Sequence, residues 1–370
     1  MTERAVARID LGAVERNCAR LRSELDREAR LCAVVKAAGY GHGAAECAGA
    51  AIAGGAGWLA VATAREAMEI RAAHPQPPLL TMGALTATEA DMAIAARSEL
   101  AVWQPGGLEM LAARARAAGE TVRLHVKHDS GMGRLGTPDP AMVLQLAQAA
   151  AEEPGLELAG VWTHFATADQ ADSDFLTQQL ERFDAVAAAA RERHPGVLLH
   201  AANSAATLRE PRSHYDMVRC GIAVYGLDPF GEDAAAQRLE PALSLHSYLA
   251  DVKRFAPGDS AGYGRTWRAA AETWLGVLPI GYGDGVRRGL SNNAEVLVGG
   301  RRRPLVGTVS MDNVTVDHGP EPDAVPGDPA VLIGAQEDER ISAEELASRL
   351  QTINYEVTCG ISARVPRVFA

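Results

Sequence analysis

A chain of 370 residues with 47% apolar and 22% charged side chains is long enough for about two domains, and its composition excludes disorder and a disulfide or collagen-like scaffold. Against 36 Lys and Arg stand 47 Asp and Glu, a net charge of −11 that repels phosphate backbones and anionic lipid, so neither nucleic acid nor membrane is an expected partner. The cysteines, Cys18, Cys32, Cys47, Cys220 and Cys359, show no Cys-x-x-Cys and no metal spacing with histidine, which fits a reducing compartment and no metal centre.

Met1 to Asp10 carries Glu3, Arg4, Arg8 and Asp10 with no apolar run behind it, so no secretory signal is expected and the location is read as cytoplasmic. Asp10 is a good N-cap, and Leu11, Val14, Cys18, Leu21 and Leu25 recur at helical spacing along one face. The stretch from Cys47 to Ala64 has no charge over 18 residues, close to a membrane span, but Gly54-Gly55-Ala56-Gly57 interrupts it and the prediction is helix, turn and strand.

Apolar runs then alternate with Ala-rich helical stretches. The runs are Leu31 to Val35, Trp58 to Ala62, Leu79 to Thr81, Leu100 to Trp103, Val122 to Val126, Leu158 to Thr163, Leu198 to Ala202 and Tyr215 to Val218. Helices are predicted over Ala64 to Ala73, Thr88 to Arg97, Pro140 to Glu152 and Ser173 to Arg193. This is an α/β pattern for an N-terminal (β/α)₈ TIM barrel, with an open doubly wound sheet as the alternative. Near residue 230 the pattern changes to short runs separated by Pro257-Gly258-Asp259, Gly299-Gly300 and Pro326-Gly327-Asp328, with one clear helix over Ala343 to Leu350. The division expected is a barrel over 11–230, a C-terminal mostly-β domain over 231–370, and a leading strand in 1–10 that can join it. Arg301-Arg302-Arg303 reads as a solvated turn flank rather than a binding patch.

Barrel chemistry collects at the C-terminal ends of the strands. Lys36, Lys127, Asp129, His164, Asn203, Ser204 and Arg219 all fall at such ends, on five different strands. A lysine held in a low-dielectric site can lose its proton and attack a carbonyl, so Lys36 is a candidate Schiff-base residue and pyridoxal 5'-phosphate the cofactor. Its phosphate needs N–H donors near the last strands, which Ser204 and Gly221-Ile222 could supply. Gly39-Tyr40-Gly41-His42-Gly43 matches neither phosphate-loop fingerprint and by itself marks a tight turn.

Val34-Val35-Lys36-Ala37 with Tyr40-Gly41-His42-Gly43 resembles the signature of the alanine racemase family. The resemblance runs through Lys127 to Gly136, Thr163 to Ala168, His200 to Ser204, Met217-Val218-Arg219 and Gly221-Ile222. It continues in Gly262-Tyr263-Gly264, Gly281 to Gly285, Val309-Ser310-Met311-Asp312 and Asn354-Tyr355-Glu356. It implies an enzyme that interconverts L- and D-alanine with two bases, supplying D-alanine for peptidoglycan. Lys36 would hold the cofactor and serve the D-face, Tyr263 the L-face. His164 and Arg219 would form a cationic relay behind Tyr263, and Arg219 would also face the pyridine nitrogen. Tyr40, Ser204, Gly221, Ile222 and Tyr355 would hold the phosphate, and Arg134 and Met311 the ring oxygen and substrate carboxylate region. Asp312 would support that segment. Lys127 matches a lysine often carbamylated in the family, its carboxylate positioning Arg134. The family is a head-to-tail homodimer in which Tyr263 and Met311 of one chain complete the site around Lys36 of the other.

Two positions depart from the pattern: Ala38-Gly39, where Asn or Asp followed by Ala is usual, and Cys220, where Pro is more frequent. Other readings are a broad-specificity or serine racemase, a non-catalytic pyridoxal phosphate carrier, which would lack the β domain, and a barrel-plus-β decarboxylase, which would lack Tyr263.

Overall fold

The computed structural model describes residues 3–370 except Arg27 and Pro322. Strand β1 (Val6–Ile9) leads into helix α1 (Leu11–Arg22), which Asp10 starts by accepting a hydrogen bond from the Ala13 amide at 2.9 Å. Eight parallel strands follow: β2 (Arg30–Val34), β3 (Trp58–Val61), β4 (Leu79–Thr81), β5 (Glu99–Val102), β6 (Val122–Lys127), β7 (Leu156–Trp162), β8 (Leu198–His200) and β9 (Met217–Cys220). β9 pairs back onto β2, from Met217 opposite Arg30 to Cys220 opposite Ala33, so the sheet closes and the open-sheet alternative is excluded. Arg219 therefore sits inside the last strand rather than after it.

The crossover helices bury alanine and a few larger side chains. Between β3 and β4, for example, the helix Ala64–Ala73 buries Ala64, Ala67 and Ile70 and starts in a capping box of Thr63 and Glu66. Small side chains let the helices approach the sheet closely. The helix Pro105–Ala118, in the interval between β5 and β6, starts on proline and stops at Gly119 in the left-handed region, φ 68°.

The C-terminal part is built on strands: β10 (Leu243–Tyr248), β11 (Asp251–Phe255), β12 (Ser260–Ala261), β13 (Trp267–Arg268), β14 (Thr273–Leu278), β15 (Glu295–Val298), β16 (Arg301–Pro304), β17 (Val314–Gly319), β18 (Pro329–Gln336), β19 (Glu339–Ile341) and β20 (Arg367–Phe369). The largest sheet runs β16-β15-β18-β10-β1-β20, so β1 lies in it between β10, antiparallel, and β20, parallel. Besides the expected helix Ala343–Leu350 there is a second, Asn354–Cys359, of six residues and too short to leave a periodic signal. Arg301 of the arginine run is exposed, whereas the two that follow are covered and paired. Arg302 pairs with Glu295, Glu339 and Glu345, and Arg303 with Asp323, because the Gly299-Gly300 turn folds β16 back against β15 and the Ala343–Leu350 helix.

Candidate active site

At the C-terminal mouth of the barrel lies a cavity of about 480 Å³ lined by Lys36, Tyr40, Lys127, Arg134, His164, Ser204, Arg219, Gly221, Ile222 and Tyr355, together with Trp162 and Cys359. Ten of the expected site residues are thus gathered from barrel strands, their following loops, and the Asn354–Cys359 helix.

Lys36 stands two residues past β2, at the head of a left-handed turn: Ala37, Ala38, Gly39 and Tyr40 have φ of 51°, 53°, 63° and 52°. Three of these are not glycine, so the turn needs outside support. Glu66 Oε1 accepts from the Ala37 amide at 2.7 Å while Oε2 accepts from Ala62 and Thr63 at 2.9 and 3.0 Å. His42 Nδ1 donates to the carbonyls of Tyr40 and Gly39 at 3.0 and 3.1 Å. The departure at Ala38-Gly39 falls in this turn, where glycine meets a positive φ without strain. Burial and the nearby Arg134 charge lower the Lys36 pKa, favouring the neutral amine.

Arg219 crosses the mouth from β9. Its guanidinium donates to the Thr163 and Ala201 carbonyls at 2.8 and 3.0 Å, to His200 Nδ1 at 2.8 Å and to His164 Nδ1 at 3.3 Å. Burial pulls its pKa down to about 10, so it stays cationic at neutral pH. Arginine can only donate, so His164 Nδ1 must be an acceptor and the ring neutral; burial and Arg219 hold its pKa well below the usual histidine value. The pair is thus a neutral His164 beside a charged Arg219. Lys127 Nζ lies 4.3 Å and the Arg219 carbon 4.7 Å from the Trp162 ring centre. Burial, then Arg219 and Arg134, pull the Lys127 pKa down to about 7. Asp129 turns away from the cavity and accepts from the Gly131 and Gly133 amides at 3.0 and 3.1 Å, shaping the loop that carries Arg134.

The opposite end of the cavity is a cradle of donors. Ser204 Oγ lies 3.0 Å from the Gly221 amide and 3.4 Å from that of Ala223. A Cβ on Gly221 would stand 2.3 Å from the Tyr40 hydroxyl oxygen, so only glycine lets that hydroxyl reach the backbone there. Tyr355 packs against Tyr40 with ring centres 5.9 Å apart. Hydroxyls and amides with no carboxylate among them suit a phosphate, and with Lys36 across the cavity the donor set fits pyridoxal 5'-phosphate. The unusual Cys220 is buried, with Sγ 3.4 Å from Thr207 Oγ1 and its pKa pushed up to about 12 by burial, so it is a packing thiol.

Tyr263, Met311 and Asp312 do not line this cavity. Tyr263 is 74% and Met311 52% exposed, and Asp312 pairs with Arg364 at 2.6 Å. Trp162, Glu66 and His42 carry no assignment in the sequence reading; only Trp162, just before Thr163-His164, has a strand-end signal.

The sequence matches two family models, alanine racemase N-terminal domain over residues 9–229 and alanine racemase C-terminal domain over 242–369. The chain belongs to the alanine racemase family. It is 42% identical to an alanine racemase of Symbiobacterium thermophilum, over 98% of this chain and 96% of that one. It is 43% identical to the alanine racemase of Frankia casuarinae, over 98% and 96%. The crystal structure of alanine racemase from D-cycloserine producing Streptomyces lavendulae superposes with a TM-score of 0.94 at 40% identity, covering 100% of this chain and 97% of that one. Membership accounts for both the closed barrel and the separate β domain. No helix among the described residues is long and apolar enough to cross a membrane, and no cluster among them could hold a metal.

Proposed function

We propose that this protein is a pyridoxal-phosphate-dependent alanine racemase with a two-base mechanism. The observation that carries the reading is the single cavity that joins the Lys36 amine, the buried Arg219 charge and the Ser204–Gly221–Tyr40 cradle. Bound pyridoxal phosphate supplies the electron withdrawal that makes the substrate Cα–H acidic. Lys36 anchors the cofactor and, freed by substrate, holds or gives the proton on the D-face of Cα. Ser204 Oγ, the amides of Gly221 and Ile222, and the Tyr40 and Tyr355 hydroxyls bind phosphate. Arg219 would hold a fixed positive charge at the cofactor's ring, where it would disfavour protonation of the ring nitrogen and so weaken the electron withdrawal that side reactions such as transamination need.

The second base is Tyr263, supplied by the other subunit of a head-to-tail homodimer. In its own chain Tyr263 is exposed and apart from Lys36, as are Met311 and Asp312, which supports a site completed across an interface. Met311 then borders the ring oxygen and substrate carboxylate with Arg134, and Asp312 holds that segment through Arg364. Residues 11–230 carry the cofactor and 231–370 lend Tyr263. The β domain counts against the carrier reading, and Tyr263 against the decarboxylase. The expected setting is D-alanine supply for peptidoglycan in the cytoplasm.

Incubation with L-alanine and pyridoxal phosphate in deuterium oxide should give D-alanine carrying deuterium at Cα. Absence of D-alanine from protein that has bound cofactor would sink the activity for this substrate, and serine would be tried next.

Two further results are expected. Gly221→Ala places a methyl against Tyr40 and should weaken pyridoxal phosphate binding roughly tenfold to a hundredfold, read by cofactor titration, with little change in melting temperature. Lys127 is the carbamylation site: its neutral amine adds CO₂, forming an N–C bond and releasing one proton, and the new carboxylate meets Arg134. With a pKa drawn down to about 7, the neutral amine dominates above that pH, so a ¹³C-bicarbonate carbamate signal should be present at pH 8 and fade as pH falls below 7. Lys127→Ala should abolish that signal.

A further inference from the structure

The interior of a (β/α)₈ barrel is ordinarily filled by layers of branched apolar side chains. Here a line of buried polar groups runs through it from floor to mouth: Glu99 of β5, His125 of β6, His200 of β8 and Arg219 of β9. Arg219 Nη1 lies 2.8 Å from His200 Nδ1, His200 Nε2 2.9 Å from His125 Nδ1, and His125 Nε2 2.6 Å from Glu99 Oε2. Below, the Arg123 Nε–H closes on the other carboxylate oxygen at 2.9 Å.

Only one proton arrangement satisfies these contacts. Arginine cannot accept, so His200 Nδ1 is bare and its proton sits on Nε2. That proton is donated to His125 Nδ1, which leaves the His125 proton on Nε2, donated to Glu99. The chain is directional, from a buried cation through two neutral imidazoles to a buried anion. It is also seated by design of the fold: a Cβ on Gly160 would lie 2.3 Å from His125 Nδ1, so that strand position leaves the ring its space. Trp162 stacks on His200 with ring centres 5.5 Å apart and planes 4° apart.

Among the described residues no carboxylate touches Arg219 directly; its other partners are two carbonyls and His164. Burying such a set is expensive, and apolar side chains of similar volume would hold a barrel together at least as well. The line therefore answers to the charge at its upper end.

We propose that Glu99 and His125 are positioning residues for Arg219. Acting through His200, the carboxylate supplies a remote counter-charge and fixes the guanidinium's orientation, and so sets the positive charge met by the cofactor ring. The last step rests on the proposed function; the chain itself does not.

The test uses ¹⁵N-histidine-labelled protein, cofactor-free and loaded, with the variants Glu99→Gln and Glu99→Leu. In the native protein His125 and His200 should both show bare Nδ1 and protonated Nε2. Glu99→Gln keeps an acceptor oxygen and should retain those tautomers, whereas Glu99→Leu should lose the His125 one. In the loaded enzyme Glu99→Leu should shift the bound cofactor's visible absorption and lower kcat roughly tenfold to a hundredfold. KM should stay within about twofold, and Glu99→Gln should recover part of kcat. Different native tautomers, or an unchanged absorption band and kcat in Glu99→Leu, would overturn the proposal. If Glu99→Leu does not fold, Glu99→Gln decides it, since loss of the charge alone must still move the band. Failure of the native protein to take up pyridoxal phosphate would instead defeat the proposed function, while the imidazole spectra still decide the chain.

Discussion

Mixing two inactive variants, Lys36→Ala and Tyr263→Phe, in equal amounts with subunit exchange is expected to restore about a quarter of native racemase activity. In the proposed head-to-tail dimer half of the dimers formed would be mixed, each with one site carrying both defects and one carrying neither. Alone, Lys36→Ala would lack the proposed cofactor anchor and one of the two proposed bases. Tyr263→Phe lacks only a hydroxyl, and its kcat should fall by about 10³-fold, within the range for a lost general base, while the bound cofactor's absorption persists. Tyr263 is already 74% exposed in the isolated chain, so Tyr263→Phe disturbs no core there. D-alanine formation by a coupled optical assay gives the readout, with co-expression as the route if exchange is slow. A mixture that stays inactive would place Tyr263 in the same chain's site or outside the chemistry altogether.

Arg219→Leu should cost several kcal/mol of stability, since each buried acceptor left without its donor costs about 1–3 kcal/mol. The guanidinium donates to two carbonyls and two imidazoles, all inside the barrel mouth, and leucine leaves each of them without its donor. That loss is a large share of the roughly 5–15 kcal/mol that holds a domain folded. Urea unfolding of cofactor-free protein measures it apart from ligand binding. Arg219→Lys keeps the charge without the planar fork and should fall between the two. If Arg219 meets the cofactor ring as proposed, the loaded leucine variant should also form more transamination product per turnover. An unchanged urea midpoint would show that the network relaxes around the loss.

Much of the site was legible because strand ends are legible. Lys36, Lys127, His164, Ser204 and Arg219 each close an apolar run, and a closed barrel sends all such ends to one mouth. The finer placements were not. Lys36 stands beyond its strand because four successive residues turn left-handed, a choice enforced by Glu66 and His42 from outside the turn. Glu99, His125 and His200 lie on separate strands at no characteristic spacing, and only barrel closure aligns them. The neutrality of His164 follows from a single contact to Arg219, which composition cannot foresee. The arginine run at 301–303 looked solvent-facing because its acidic partners come from β15, β19, the Ala343–Leu350 helix and Asp323.

The place of β1 has a consequence for synthesis. Val6–Ile9 pairs with Leu243–His246 and, on its other side, Ala7–Ile9 with Arg367–Phe369. At ribosomal rates of about 5–20 residues per second, the first of those partners emerges roughly ten to fifty seconds after the strand itself. The barrel strands are all made within that interval, so the barrel can close while its leading segment still waits as a lone strand edge. A nascent chain paused before residue 243 would expose that edge, and the co-translational hazard of this protein is concentrated there rather than in the barrel.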